Sequence, residues 1–415
     1  MTDAIVEHFF RHEYGKLIAV LSRKVGVQYL ALVEDAVQFA LLAGVEVWAR
    51  DGQPENPSAW LYRVAHNQLL SELRQRQSRE RILTTQGTAF EEACEDDDVL
   101  LTDDFSDDML RMLFVCCRDD IPHQSQLILA LKILCGFSIQ EIALRLFLTE
   151  ANVYKRYSRA KKILQATPNF VAEDFDKTYV QRIPAVHKVL YLLFTEGYLS
   201  SRAEYAVRLE LCDEAVRLTT MLANHRYGEA PESFALLALM YLHLARMASR
   251  QDDAGSLLLL HQQDRSMWSV PHIQQGLHWL EKSANGNVFS RYHAEAGIAA
   301  EHCMAPSFSA TRWDNIASCY QAIEAASPSP LHRLNRAIAI AELQGPEAGL
   351  KLLQGYSTPA WLLESFHWNA TLADLQWRAG NREVAERYRQ SALKVVPNEA
   401  QKNLMLNRWR MLDGA

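Results

Sequence analysis

The sequence predicts an all-α protein built from several modules. Apolar residues recur at three- and four-residue spacing from end to end, as in 185–195, 209–223, 234–248 and 361–379. No convincing run of alternating strand residues interrupts them. At 415 residues, nearly half of them apolar, the chain exceeds one ordinary core, since a domain usually takes about 100–200 residues.

The first informative element covers 59–82. Asn56, Pro57 and Ser58 supply a turn and an N-cap, and Trp60, Leu61, Val64, Leu69, Leu70 and Leu73 follow at helical spacing. Five arginines (Arg63, Arg74, Arg76, Arg79, Arg81) stand there against two glutamates (Glu72, Glu80). Such a basic stripe can contact phosphates; alone it fits an ordinary surface helix equally well.

Residues 91–108 hold ten acidic residues and no basic one. Self-repulsion favours an extended, solvated first part. Asp107 and Asp108 precede the apolar run 109–117 and suit a helix N-terminus. Cys116 and Cys117 lie inside that run. The seven cysteines form no C-x-x-C pair, so buried thiols of a reducing compartment are expected rather than a zinc or redox site.

In 138–164, Ser138 and Glu141 form a capping box, a break falls at Leu148–Thr149, and Thr149 can cap a second helix from Glu150. The pair has helix-turn-helix geometry. Its second helix carries Lys155, Arg156, Arg159, Lys161 and Lys162 against Glu150, with Asn152, Tyr154 and Ser158 able to meet base edges or phosphates. A plain packed hairpin fits the same pattern.

Pro168 and the polar stretch to Lys177 mark a boundary, after which helix pairs continue to the end. In the last of them Gly380, Ala385, Ala392, Leu393 and Pro397 fall at the spacing of a tetratricopeptide repeat. Glycine turns the chain, small alanines let two helices approach, and proline closes the second. Gly345 lies 35 residues before Gly380, close to the repeat period of about 34.

The net charge of −7 argues against a protein that coats nucleic acid through its overall field, so any DNA contact is local. Apolar stretches are too short for a membrane span, and residues 1–11 have no signal-peptide core, which points to a soluble cytoplasmic protein. No nucleophile with a base, paired carboxylates, phosphate loop or metal-ligand spacing stands out. No enzyme, cofactor or metal is expected.

Three segments in order, V-E-D-A-V-Q (33–38), N-P-S-A-W-L-Y-R-V-A-H-N (56–67) and S-I-Q-E-I-A-L-R-L-F-L-T-E-A-N-V-Y-K-R-Y-S-R-A-K-K-I-L (138–164), resemble the extracytoplasmic-function RNA polymerase sigma factors. Further segments at 182–198, 211–218, 264–268 and 334–350 resemble the subgroup with a C-terminal tetratricopeptide-like extension, so the likeness covers nearly the whole chain.

The resemblance implies sigma region 2 as a helical bundle over 1–82, which binds the polymerase clamp and recognises and melts the minus-ten element. An acidic flexible linker follows over 83–106. Sigma region 4, a helix-turn-helix for the minus-thirty-five element, takes 107–167, and a helical-repeat regulatory domain takes 178–415.

It further implies that Asp35 and Gln38 contact polymerase. Trp60, Arg63, Asn67, Arg74 and Arg76 contact the minus-ten element, with Asn67 holding an extruded base. Asn152, Tyr154, Lys155, Ser158 and Arg159 contact the minus-thirty-five element. Lys161 and Lys162 remain either phosphate contacts or solvated helix-end charges. Phe39 stands where an acid is usual, and Tyr154 where a basic residue is common.

The implied partners are core RNA polymerase and promoter DNA, with a regulatory protein or peptide at the C-terminal domain as a third. There Glu196, Tyr198, Asp264, Arg265, Trp268, Asn335 and Arg336 are available to line a groove, or to hold hairpins in register through packing and buried hydrogen bonds. Two other classes stay open. A duplex-binding regulator would use only 138–164, and a repeat scaffold only the C-terminal half.

Overall fold

The computed structural model describes residues 3–83, 104–146, 148–166, 175–199, 205–252, 255–286, 288–397 and 399–413. The acidic stretch expected as a linker lies largely outside them. Apart from one isolated bridge between Gln251 and Leu257, the described residues are helices, turns and loops. None of the helices is long and apolar enough to cross a membrane.

Two compact units emerge, Met1–Gly197 with Asn224–Gly228, and Tyr198–Ala223 with Glu229–Ala415. The first begins with α1 (Asp3–Val25), α2 (Leu30–Asp51) and α3 (Pro57–Leu83). Leu17, Ile18, Leu21, Leu30, Leu61 and Leu69 are fully buried between them. Asn56 caps α3, its side-chain oxygen accepting from the Ala59 amide at 3.0 Å.

Next come α4 (Asp104–Cys116), α5 (His123–Leu129), a π-helical turn (Ala130–Leu134), α6 (Ile139–Arg145), α7 (Glu150–Gln165) and α8 (Phe175–Leu199). The capping box forms as the sequence predicts. Ser138 Oγ accepts from the Glu141 amide at 3.1 Å, and Glu141 accepts from the Ser138 amide at 2.7 Å. Thr149 Oγ1 accepts from the Asn152 amide at 3.3 Å and starts α7. Cys116 and Cys117 are fully buried, and burial pushes both thiols up, away from the reactive thiolate.

The second unit contains α9 (Tyr205–Ala223), α10 (Pro231–Leu244), α11 (Val270–Ser283), α12 (Arg291–Met304), α13 (Trp313–Ala326), α14 (Pro330–Gln344), α15 (Pro346–Leu353), α16 (Ala360–Leu363), α17 (Phe366–Arg378), α18 (Arg382–Lys394) and α19 (Glu399–Asp413). α10 is apolar on almost every face because α9, α11 and α12 surround it. The expected repeat is the hairpin of α17 and α18. Gly380 turns it at φ +83°, and Ala385 and Ala392 are fully buried.

An earlier hairpin, α14 with α15, turns at Gly345 with φ +95°. Its two helices touch at Gly349, where an added Cβ would lie 2.6 Å from the Ala337 carbonyl oxygen. Alanine is favoured over glycine by about 1 kcal/mol in a helix interior, whereas overpacking costs about 1–3 kcal/mol. Gly349→Ala should therefore speed amide exchange in α14 and α15; slower exchange would mean that helix propensity outweighs the clash.

Candidate nucleic-acid interface

Three helices of the first unit present faces suited to nucleic acid or to a protein that carries it. On α3, Leu61, Ala65 and Leu69 point into the core. The opposite side carries Arg63, Asn67 and Arg74, all exposed, with Trp60 half-buried at its start. Positions 60, 63, 67 and 74 follow the three- and four-residue spacing of one helical stripe. Trp60 packs edge-on against Trp48, which stacks on Phe10, each pair 5.5 Å apart. Arg76 stands off this stripe and lies over the Tyr29 ring at 5.9 Å. Arg79 and Arg81 have no described side chains.

A second face lies on α2. Val33, Ala36, Val37 and Ala40 are buried, whereas Asp35 and Gln38 are exposed. Beside them Phe39, Leu42 and Val45 are 50%, 66% and 54% exposed. A run of large apolar side chains on an outward face marks an interaction surface. Burial, and secondarily Glu72, draw the Asp35 carboxyl above its ordinary range. Leu42 and Val45 are additions to the sequence-derived set, and their signal was the placement of apolar residues seven and ten positions after Asp35, on the same face.

The third face is on α7. Val153, Tyr157, Ala160 and Leu164 are buried, which turns Asn152, Tyr154, Lys155 and Arg159 outward with Ser158 half-exposed. Tyr154 is 63% exposed. Arg156 folds back along the helix, donating to Asn152 Oδ1 at 2.6 Å and also to Gln124, so it orders the polar start of the helix.

Lys161 departs from both roles open to it in the sequence. It is neither solvated nor available for a phosphate, because its ammonium pairs with the buried carboxylate of Glu34 on α2. Lys162 is exposed.

In the second unit a cavity of about 490 Å³ opens between helices, within the range typical of ligand pockets. His302, Phe308, Trp313, Phe366, Met405 and Trp409 supply apolar and aromatic wall. Its charges are paired: Arg378 with Glu342 at 2.5 Å and Arg408 with Asp374 at 2.8 Å. The indole N–H of Trp409 and Nδ1 of His302 are buried without a hydrogen-bond partner. Burial, aided by Arg246 and Arg265, lowers the His302 pKa to about 3, so its ring is neutral.

Of the seven residues singled out as groove-lining, only Asn335 reaches this cavity. Trp268 is 5% exposed and donates from Nε1 to Ser249 at 2.7 Å. Arg265 lies over its ring and donates to the carbonyls of His302 and Ala305, both at 2.7 Å. Asp264 caps a short turn by accepting from the Ser266 amide at 2.8 Å. Tyr198 stacks on His243 at 4.4 Å under Arg250. Arg336 pairs with Glu324 at 3.3 Å. Glu196, in the first unit, is half-buried, and burial raises its pKa. Most of the cavity residues come as stripes at helical spacing from α13, α14, α17 and α19, and spacing within one helix does not announce which helices face one another.

Family models cover these same segments. Sigma-70 region 2 matches residues 9–79, Sigma-70, region 4 matches 117–164, and a family of unknown function (DUF6596) matches 182–284. An uncharacterized protein, R00370, of Rhizobium meliloti (strain 1021) is 36% identical over 332 residues, which is 78% of this chain and 77% of that protein. No solved structure matches. With region 2 before region 4 and the extension behind both, the chain belongs to the extracytoplasmic-function RNA polymerase sigma factors that carry a C-terminal extension.

Proposed function

We propose that the chain works as a promoter-specific initiation factor through three surfaces, and that its second unit controls or completes that activity. The observation that carries this is directional. On α2, α3 and α7 the apolar stripe is consumed by the core, while the residues expected to meet polymerase or DNA stand on the opposite side. A helix-turn-helix regulator would leave the α2 and α3 faces without a role, and a repeat scaffold would leave all three.

In this account the domains run 1–82, 107–167 and 178–415, joined by the acidic 83–106. Asp35 and Gln38, with Phe39, Leu42 and Val45, form the polymerase-docking face, a polar pair beside an apolar anchor. Trp60, Arg63, Asn67, Arg74 and Arg76 engage the minus-ten element. Asn67 supplies an amide for the edge of an unstacked base, and the arginines hold the adjacent phosphates. Asn152, Tyr154, Lys155, Ser158 and Arg159 enter the major groove at the minus-thirty-five element.

The cavity is the place where a regulatory molecule or peptide reaches the second unit. Its aromatic wall, paired charges and two unpartnered polar atoms favour an apolar group that carries a hydrogen-bond acceptor.

Asp35→Ala should weaken capture of core polymerase in a pull-down while leaving the folded content intact by circular dichroism; undiminished capture would remove α2 from the interface. For Asn67→Ala, permanganate footprinting should report open complex falling by roughly tenfold, in line with about 1–3 kcal/mol for a base contact, with polymerase binding unchanged. Equal loss of both, together with a lower melting temperature, would make Asn67 structural. Thr371→Trp fills the cavity from its wall and should change promoter-dependent transcription without changing polymerase capture. Transcription equal to the parent chain, in cells and in purified reactions, would sever the cavity from control.

A further inference from the structure

Helix C-termini attract cations, and in the second unit the ends of α10 and α12 have gathered three arginines. Arg246 follows α10, Arg250 closes the short turn behind it, and Arg265 opens another such turn before α11. Backbone carbonyls satisfy two of them. Arg265 donates to the carbonyls of His302 and Ala305 at the end of α12. Arg250 donates to the carbonyl of Tyr198, whose ring it covers at 4.1 Å.

Arg246 is different. It is 8% exposed, its Nε is buried without a partner, and among the described residues no carboxylate or carbonyl meets its guanidinium. The Trp268 ring lies against it at 5.3 Å, and the same ring meets Arg265 at 4.4 Å. A second cation thus stands where a counter-charge is needed.

The titratable groups around Arg246 supply no negative charge. Burial drives the Cys303 thiol up to about 11, and burial, then Arg246, lowers both His243 and His302 so that their rings are neutral. Asp264, beside Arg265 in the chain, is exposed and accepts from Ser266 instead. A guanidinium stays charged at any physiological pH, and a buried charge without compensation is strongly destabilising.

His302 joins this cluster to the cavity. Its backbone carbonyl holds Arg265, while its ring forms part of the cavity wall with Nδ1 unpartnered. The wall's own charges cancel, since Arg378 and Arg408 are paired with Glu342 and Asp374. The cavity therefore has one positive end and a largely aromatic remainder in Phe308, Trp313, Phe366 and Trp409.

We propose that the cavity binds small aromatic carboxylic acids as their anions, the carboxylate at the His302 end with Arg246 as its counter-charge and the ring among the aromatic side chains. The proposal rests on the reading of the cavity as a ligand site, and narrows the acceptor it favours to a charged one. An uncharged ligand leaves Arg246 uncompensated, and a cationic one is repelled by all three arginines. Away from bulk water the attraction between such charges is screened far less than at the surface.

The full-length chain is titrated calorimetrically with benzoate, naphthalene-2-carboxylate and indole-3-acetate, each beside its uncharged amide, and its melting temperature is read with and without them. At least one acid should raise that temperature and bind roughly ten- to a hundredfold more tightly than its amide, the ratio of a charge-assisted contact. Arg246→Met keeps the stem and removes the charge. It should bring acid and amide to the same affinity and leave the ligand-free melting temperature unchanged or higher. Should the methionine variant melt lower, Arg246→Lys decides, because restoring the charge should restore the preference for the acid. Thr371→Trp should weaken acid and amide alike.

Acids that bind no more tightly than amides overturn the proposal, as does a preference for acid that survives Arg246→Met or is absent from Arg246→Lys. Equal stabilisation by sulfate at the same millimolar concentration also overturns it, since sulfate makes no use of the aromatic wall. An acid that binds as stated yet leaves promoter-dependent transcription unchanged refutes control through the cavity and leaves the binding site standing.

Discussion

Helix α1 is the surface to which the first unit is referred. Leu17, Ile18 and Leu21 are fully buried, and the helix touches α2, α3, α4 and the π-helical turn. A helix flanked on so many sides must make one contact without a side chain, and Gly15 is where this happens, against the Leu134 carbonyl. The glycine costs about 1 kcal/mol of helix propensity, which the surrounding leucines and isoleucine offset several times over, at roughly 1.5–3 kcal/mol per buried side chain. Its presence is a packing decision between regions 2 and 4, made inside region 2.

The same economy governs the polar contacts between those regions. Glu34 is buried with Tyr14, Tyr157 and Lys161 around it, whereas Arg11 and Glu141 meet at the edge, with Glu141 also closing the capping box of α6. Burial and the adjacent Glu34 carboxylate both push the Tyr14 and Tyr157 hydroxyls well above their ordinary pKa, which keeps them neutral donors. Two neutral donors and one cation satisfy a single carboxylate. That set holds position and orientation more than it adds stability.

Local chemistry was the legible part of the sequence. Asn56, Ser138 and Thr149 cap the helices they precede because a cap depends on residues two or three positions away. Gly380, Ala385 and Ala392 were readable for the same reason. Lys161 was not. Its partner lies 127 residues earlier, and a helix-end lysine among other cations carries no sign that it turns inward. Trp268 and Arg265 were open to two readings, a groove or packing that holds the hairpins in register, and the guanidinium is spent on two backbone carbonyls and the indole on Ser249, as packing requires. Period and capping are local properties, whereas the burial of a charge is decided by tertiary contact.

A net charge of −7 is compatible with promoter recognition because the cations are segregated, not because they are many. α3 and α7 put Arg63, Arg74, Lys155, Arg159 and Lys162 at the surface, while most other arginines of the described residues are bound to carboxylates or rings. A protein that contacts few phosphates gains little from counterion release, and its affinity falls gently with salt. In the reading proposed above, each stripe alone would hold non-specific DNA weakly, because few exposed cations face the phosphates, and specificity would come from the two acting together.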